Sequence, residues 1–166
     1  MKLRLSIILS AIILLFSCRG DEEEIQVIDQ VLNLYMKNSA GQDLLNTNID
    51  GSYSSAALYD LLNETALTSV TSSLLKDSNG VIYMEYLAGA TRLLKDSVSP
   101  SQKTFESEVI IRLSKTVDEE TVVDDDTIRI EYNWTPTLFQ LSKLWYNDEL
   151  KFTKVQGQPN IVTIVK

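Results

Sequence analysis

The sequence predicts an all-β protein: a single antiparallel β-sandwich of about seven to nine strands, preceded by a signal segment and an acidic tether. Three observations carry this expectation. Apolar and polar residues alternate with period two in short runs, most strictly from Thr127 to Trp134. Clusters of Gly, Pro, Ser, Asn and Asp separate those runs. Removing residues 1–17 leaves 149 of the 166 residues, enough for one domain with its own core and too few for two.

The division expected is 1–17 as signal peptide, 18–26 as tether and 27–166 as sandwich. Met1–Arg4 is basic, and Leu5–Phe16 is apolar apart from Ser6 and Ser10. A dozen such residues fall short of the roughly 20 that a membrane-crossing helix needs and suit the apolar region of a secretory signal. The chain turns polar at Cys18 and continues as Arg19-Gly20-Asp21-Glu22-Glu23-Glu24. Like charges keep such a segment extended. At about 3.3 Å per residue, Arg19–Gln26 spans up to roughly 26 Å.

From Ile25 onward the elements follow in order. Ile25–Ile28 and Val31–Met36 alternate in part, Ser39-Ala40-Gly41 reads as a turn, and Leu44-Leu45 as a buried crossing. Residues 54–62 admit strand or helix because Ala56-Ala57-Leu58 and Leu61-Leu62 break the alternation; strand is the preferred reading. Leu67–Lys76 alternates loosely before the turn Asp77-Ser78-Asn79-Gly80, and Val81–Leu87 resumes. Ser97–Ser101 is a breaker-rich loop. Phe105–Lys115 and Thr127–Trp134 read as strands joined by an acidic hairpin loop, Thr116–Asp126. Leu141–Tyr146 and Glu149–Phe152 flank a tight turn at Asn147-Asp148, and Asn160–Val165 forms a last strand.

Composition excludes several chemistries. The chain carries a formal charge of −8, and loss of Lys2 and Arg4 takes the remainder to about −10. An acidic body argues against a nucleic-acid partner, since neutralising phosphates requires Lys and Arg. Histidine is absent and Cys18 is the one cysteine. That removes Ser-His-Asp and Cys-His nucleophiles, Cys/His zinc sites and disulfides together. No cofactor is implied.

Leu15-Phe16-Ser17-Cys18 resembles the lipobox of bacterial lipoproteins. The resemblance implies fatty acylation of Cys18, palmitate-type chains included, after cleavage before it. More than one chain is needed for stable anchoring. Arg19 to Glu24 is similar to the acidic tether of surface lipoproteins in the Bacteroidota, which implies an outer-membrane address with the domain exposed at the cell surface. Leu44-Leu45-Asn46, Asp126-Thr127-Ile128, Trp145-Tyr146-Asn147 and Ile164-Val165-Lys166 also resemble segments of small lipoproteins of that kind. The implied fold is immunoglobulin-like or transthyretin-like, and no active site comes with it.

Candidate sites were weighed against plainer roles. Asn46–Gly51 has the spacing of a calcium loop, but it lacks a leading aspartate and carries Ala57 where a bidentate glutamate belongs; a polar turn explains it better. Asp118, Glu119, Glu120, Asp124, Asp125 and Asp126 form an acidic group in which Asp118, Glu120, Asp124 and Asp126 are the metal candidates. The plainer reading is a hydrated loop that discourages edge pairing. Glu85, Glu106, Glu108 and Glu131 offer paired carboxylates for glycoside hydrolysis, a reaction that needs no histidine; glutamates on the strands of a half-exposed sheet are ordinarily surface residues, and a domain this small lacks long loops to build a cleft. Tyr132 and Trp134 share the apolar face of one strand and are assigned to the core. Trp145 and Tyr146 point to opposite faces and are the candidate ligand contacts. Asp96-Ser97-Val98 and Asp126-Thr127-Ile128 resemble the O-glycosylation acceptor pattern of secreted Bacteroidota proteins, which nominates Ser97 and Thr127. The expectation is a lipid-anchored, non-catalytic interaction module, not an enzyme, with a protein or glycan partner. The alternative is a calcium-dependent or carboxylate-based accessory enzyme using residues 118–126.

Overall fold

The structure, a computed structural model, describes residues 25–166. The signal segment 1–17, Cys18 and the tether as far as Glu24 lie outside the described residues. No helix occurs among the described residues. Twelve strands build two sheets: β1 (Val27–Asp29), β2 (Leu32–Lys37), β3 (Ser55–Asp60), β4 (Thr68–Val70), β5 (Ser72–Lys76), β6 (Ile82–Tyr86), β7 (Leu93–Ser99), β8 (Gln102–Val117), β9 (Glu120–Trp134), β10 (Leu138–Tyr146), β11 (Glu149–Thr153) and β12 (Asn160–Val165).

The larger sheet runs β1-β10-β9-β8-β3-β4, with β11 on β10 and β7 on β8, and it curls as a half-barrel. The smaller runs β12-β2-β6-β5. Both are mixed, which corrects the purely antiparallel expectation. β1 lies parallel to β10 (Ile28 opposite Phe139), and β12 lies parallel to β2 (Val162 opposite Leu34). Alternation reveals that a segment is a strand; it carries no information about the direction of the neighbour.

Residues 54–62 hold a strand, β3, whose Leu58 and Asp60 face inward. The segment 67–76 divides at Thr71 between two sheets, β4 joining the larger and β5 the smaller. β7 carries no burial signature, being exposed almost throughout, and so leaves no period-two trace in the sequence.

The expected acidic loop 116–126 is instead a two-residue turn. β8 and β9 pair from Lys103–Trp134 to Val117–Glu120, and only Asp118 (φ 50°) and Glu119 (φ 68°) make the reversal. Thr121, Val122 and Val123 favour extended backbone, and Arg112 forks onto Asp125, its cross-strand neighbour, at 2.8 and 2.6 Å. That pairing offsets part of the repulsion among the acids.

One core joins the two sheets. Leu32, Leu34, Met36, Met84, Tyr86, Val162 and Ile164 come from the smaller; Leu58, Val109, Ile111, Leu113, Ile128, Ile130, Tyr132, Leu141 and Leu144 come from the larger. Each fully buried aliphatic side chain contributes about 1.5–3 kcal/mol. On β9 the inward face reads Asp126, Ile128, Ile130, Tyr132, Trp134, so the apolar middle has a polar group at one end and an aromatic at the other. Those two ends are where chemistry collects.

Candidate functional site

At the Trp134 end the core opens into a cleft of about 490 Å³, lined by Gln26, Ile28, Gln30, Arg92, Phe105, Trp134 and Phe139. The volume lies in the range that small-molecule sites occupy. Strand pairing assembles its walls. Trp134 is opposite Phe139 across β9 and β10, Phe105 opposite Tyr132 across β8 and β9, and parallel β1 lays Ile28 beside Phe139. Phe139 stacks on Tyr132 (5.4 Å between centroids, 11°) and meets Phe105 edge-on at 6.3 Å. Both are geometries that aromatic quadrupoles favour.

Arg92 enters from the connection between β6 and β7. That loop is held at several points. Ala90 N–H donates to Tyr86 Oη at 2.9 Å, and Thr91 N–H donates to buried Asp60 at 2.7 Å. Burial works against the charged form of Asp60, but donors from Thr91 and Leu62 outweigh it and hold the carboxyl below its ordinary range. Ala88 sits at φ 58°, a left-handed conformation that costs a non-glycine residue about 1–2 kcal/mol. Its carbonyl accepts a hydrogen bond from Arg92 Nη2, and Gln30 Oε1 accepts a second at 3.0 Å. The guanidinium carbon lies 5.0 Å from the Phe139 centroid and 5.1 Å from that of Tyr132. Arg92 Nε is buried without a hydrogen-bond partner, and no carboxylate pairs with this arginine among the described residues.

A smaller concavity of about 150 Å³ adjoins the cleft at Trp134 and takes in Gln102, Lys103, Thr104, Asn133 and Gln140. Lys103 Nζ lies 5.0 Å from the Trp134 ring centroid and, like Arg92, makes no ion pair among the described residues.

At the opposite end of β9, Lys166 Nζ bridges Asp124 (2.5 Å) and Asp126. Tyr146 Oη and Asn147 Nδ2 (2.6 Å) also donate to Asp126, and Tyr53 Oη donates to Asp124 at 3.0 Å. Burial opposes ionisation of Asp126, yet donors from Lys166, Tyr146 and Asn147 prevail and hold its acid form below the ordinary range. Burial, with Asp126 beside it, pushes the Tyr146 phenol upward, so it acts only as a donor.

The sequence-predicted residues are distributed as follows. Asp124 and Asp126 are engaged by Lys166, while Asp118 and Glu120 lie exposed at the hairpin tip; no group of three metal-binding side chains forms among the described residues. In the calcium-like loop, Asn46 Oδ1 accepts from Asn48 N–H at 3.2 Å, and Gly51 (φ 81°) completes a polar turn. Glu106 and Glu131 face each other across β8 and β9, and Lys95 Nζ sits between them at 2.6 and 2.5 Å. Glu85 is on the smaller sheet. Tyr146 is in the core, and one face of Trp145 is covered by Arg129, 3.8 Å from its centroid. Ser97 is exposed on β7; Thr127 is half-buried, with its N–H bonded to Asn147 Oδ1 at 2.8 Å. Cys18 lies outside the described residues.

The cleft residues Arg92, Phe105, Phe139, Gln26 and Gln30 were not singled out by sequence reasoning. Trp134 was, but as core, whereas it packs at the edge of the core with part of its surface in the cleft. Phe139 and Arg92 are 47 positions apart, and nothing in either neighbourhood marks them as partners. Comparison with protein-family models, with curated proteins and with solved structures returns no match for this chain.

Proposed function

We propose that this protein is a lipid-anchored envelope lipoprotein of the outer membrane, exposed at the cell surface, which acts as a non-catalytic binding module. The Leu15–Cys18 segment and the acidic run after it support the address. Two sheets around one core support a sandwich of the immunoglobulin-like kind, with β1–β10 and β12–β2 as its parallel departures. The observation that carries the binding role is the cleft: an aromatic wall of Phe105, Trp134 and Phe139 around a guanidinium with no acid partner among the described residues. The reading of residues 118–126 as an enzymatic or calcium site has no comparable support, since Asp124 and Asp126 are paired with Lys166.

Two experiments test this. Labelled palmitate is expected to enter the wild-type chain and not Cys18→Ser, and protease added to intact cells is expected to degrade the domain; unlabelled wild type, or full protection, refutes the address. For binding, Trp145→Phe leaves Trp134 as the sole indole. Titration with panels of oligosaccharides and of peptides is expected to change its emission saturably for one panel. Saturable binding that leaves Trp134 emission unchanged, and that survives Trp134→Ala, refutes the cleft.

A further inference from the structure

We infer that the cleft and its neighbour form one site for an acidic oligosaccharide, with sugar rings laid on Trp134 and carboxylates held by Arg92 and Lys103. This rests on the binding-module reading and narrows its ligand.

Charge sets these two concavities apart. The chain as a whole is acidic, yet the residues lining these two concavities include no Asp or Glu among those described, and they include Arg92 and Lys103. Most bases elsewhere have an acid: Arg112 has Asp125, Arg129 has Glu106, Lys95 has Glu106 and Glu131, and Lys166 has Asp124 and Asp126. Lys37, Lys76 and Lys115 also make no ion pair among the described residues, but Lys115 lines a concavity that holds Asp50, and Lys37 and Lys76 line neither concavity at Trp134. Trp134 lines both concavities, one with Arg92 and the other with Lys103, and neither lining holds an acid.

Desolvation leaves Arg92 short of a partner. A half-buried guanidinium with Nε unpartnered bears a cost that its stacking on Tyr132 and Phe139 offsets only in part. An incoming carboxylate supplies the missing charge, and with Nη2 engaged by Ala88 and Gln30 and Nε buried, it is Nη1 that is left to donate to it. Shape fits as well. Trp134 lines both concavities, so a ligand crossing it meets a ring-sized hydrophobic surface between the concavity that holds Arg92 and the one that holds Lys103. Alternating apolar faces and equatorial polar groups are what a pyranose chain presents, and regularly spaced carboxylates are what a uronate chain adds. The side-chain amides of Gln102 and Asn133, both exposed, supply polar contacts at the rim.

The probe is a galacturonate oligomer of four to six residues, titrated into the full Cys18→Ser chain by calorimetry, with a neutral xylose oligomer of equal length as comparator. The acidic oligomer is expected to bind at least tenfold more tightly than the neutral one, and its affinity to fall with added salt, since exposed charges are screened. Arg92→Gln is expected to lose about tenfold or more and Lys103→Ala several-fold, with Trp134→Ala abolishing binding. Because Arg92→Gln also removes the hydrogen bonds to Ala88 and Gln30, its melting curve is recorded alongside; Lys103→Ala, which removes no ion pair among the described residues, provides the check should Arg92→Gln fail to fold. Equal binding of both oligomers through Trp134 overturns the acidic class and leaves the module. Binding of neither overturns the saccharide ligand, and the peptide panel then decides the module separately. Acidic binding that survives all three substitutions places the site elsewhere and overturns the inference.

Discussion

The Arg92 guanidinium lies 5.0 Å from the centre of the Phe139 ring, although Arg92 sits in a connection between strands, Phe139 on β10, and the two are distant in sequence. The contact joins the β6–β7 connection to the end of the larger sheet, and it sets a cation at the mouth of an otherwise aromatic cleft. Stability and recognition separate at this pair. Phe139→Ala removes a buried ring stacked on Tyr132 and is expected to cost about 3–5 kcal/mol. Arg92→Met keeps much of the volume and discards a charge with no acid partner among the described residues, so its effect on stability is expected to stay within about 1 kcal/mol. Urea unfolding of the two variants checks the contrast; equal losses refute it.

The Lys166–Asp126 pair makes stability depend on pH in a definite direction. Asp126 is depressed in the folded chain, so its contribution is complete above the acid's unfolded value and disappears as pH falls through the lower folded value. Burial disfavours the charged form of Lys166, but Asp124 and Asp126 raise it overall. Its contribution is therefore complete below the ordinary lysine value and is lost as pH rises through the raised folded one. Thermal midpoints are expected to be flat in the neutral range and to decline at both extremes. Lys166→Met is expected to cost about 1–2 kcal/mol at neutral pH, less than a fully buried pair because solvent reaches this lysine. It should also make the acid decline shallower, because without the lysine the folded value of Asp126 returns toward its unfolded one. An unchanged acid limb refutes the assignment.

Hairpin strain offers a stabilising change. Glu119 occupies φ 68° in the two-residue turn between β8 and β9, where glycine carries no Cβ penalty. Glu119→Gly is expected to raise stability by about 0.5–1 kcal/mol, the relief of left-handed strain exceeding the entropy that glycine adds to the unfolded chain. A lower thermal midpoint contradicts this.

Calcium discriminates between the two readings of the acidic hairpin. With Asp124 and Asp126 engaged by Lys166 and the reversal confined to two residues, millimolar Ca²⁺ is expected to leave the thermal midpoint unchanged within about 1 °C. A clear rise that Asp118→Asn with Glu120→Gln abolishes restores the metal reading at the hairpin tip.

The two nominated glycosylation positions differ in access. Ser97 is exposed on an edge strand, whereas Thr127 follows the buried Asp126 and is tied to Asn147. Mass mapping of the protein from its native envelope is expected to find any hexose-type modification at Ser97 and none at Thr127. A modified Thr127 contradicts this.

By itself the sequence determined the class of the domain and its most regular elements. Strict alternation from Ile128 to Trp134 declares a strand with one buried face. Asp77–Gly80 declares a turn, and Gly80 and the Asp77 side chain make it so at φ 84° and 2.8 Å. Local chemistry is sufficient there because period and backbone preference act between near neighbours. The tertiary structure alone decided which strands lie side by side, that β1 and β12 join their sheets in parallel, and that the acids of 124–126 sit in a strand beside Lys166. It also brought Arg92, Phe105, Trp134 and Phe139 from four separate segments to one cleft. Such contacts arise from strand pairing and core closure over long separations, and residues that meet only in that way leave no mark on their own stretch of chain.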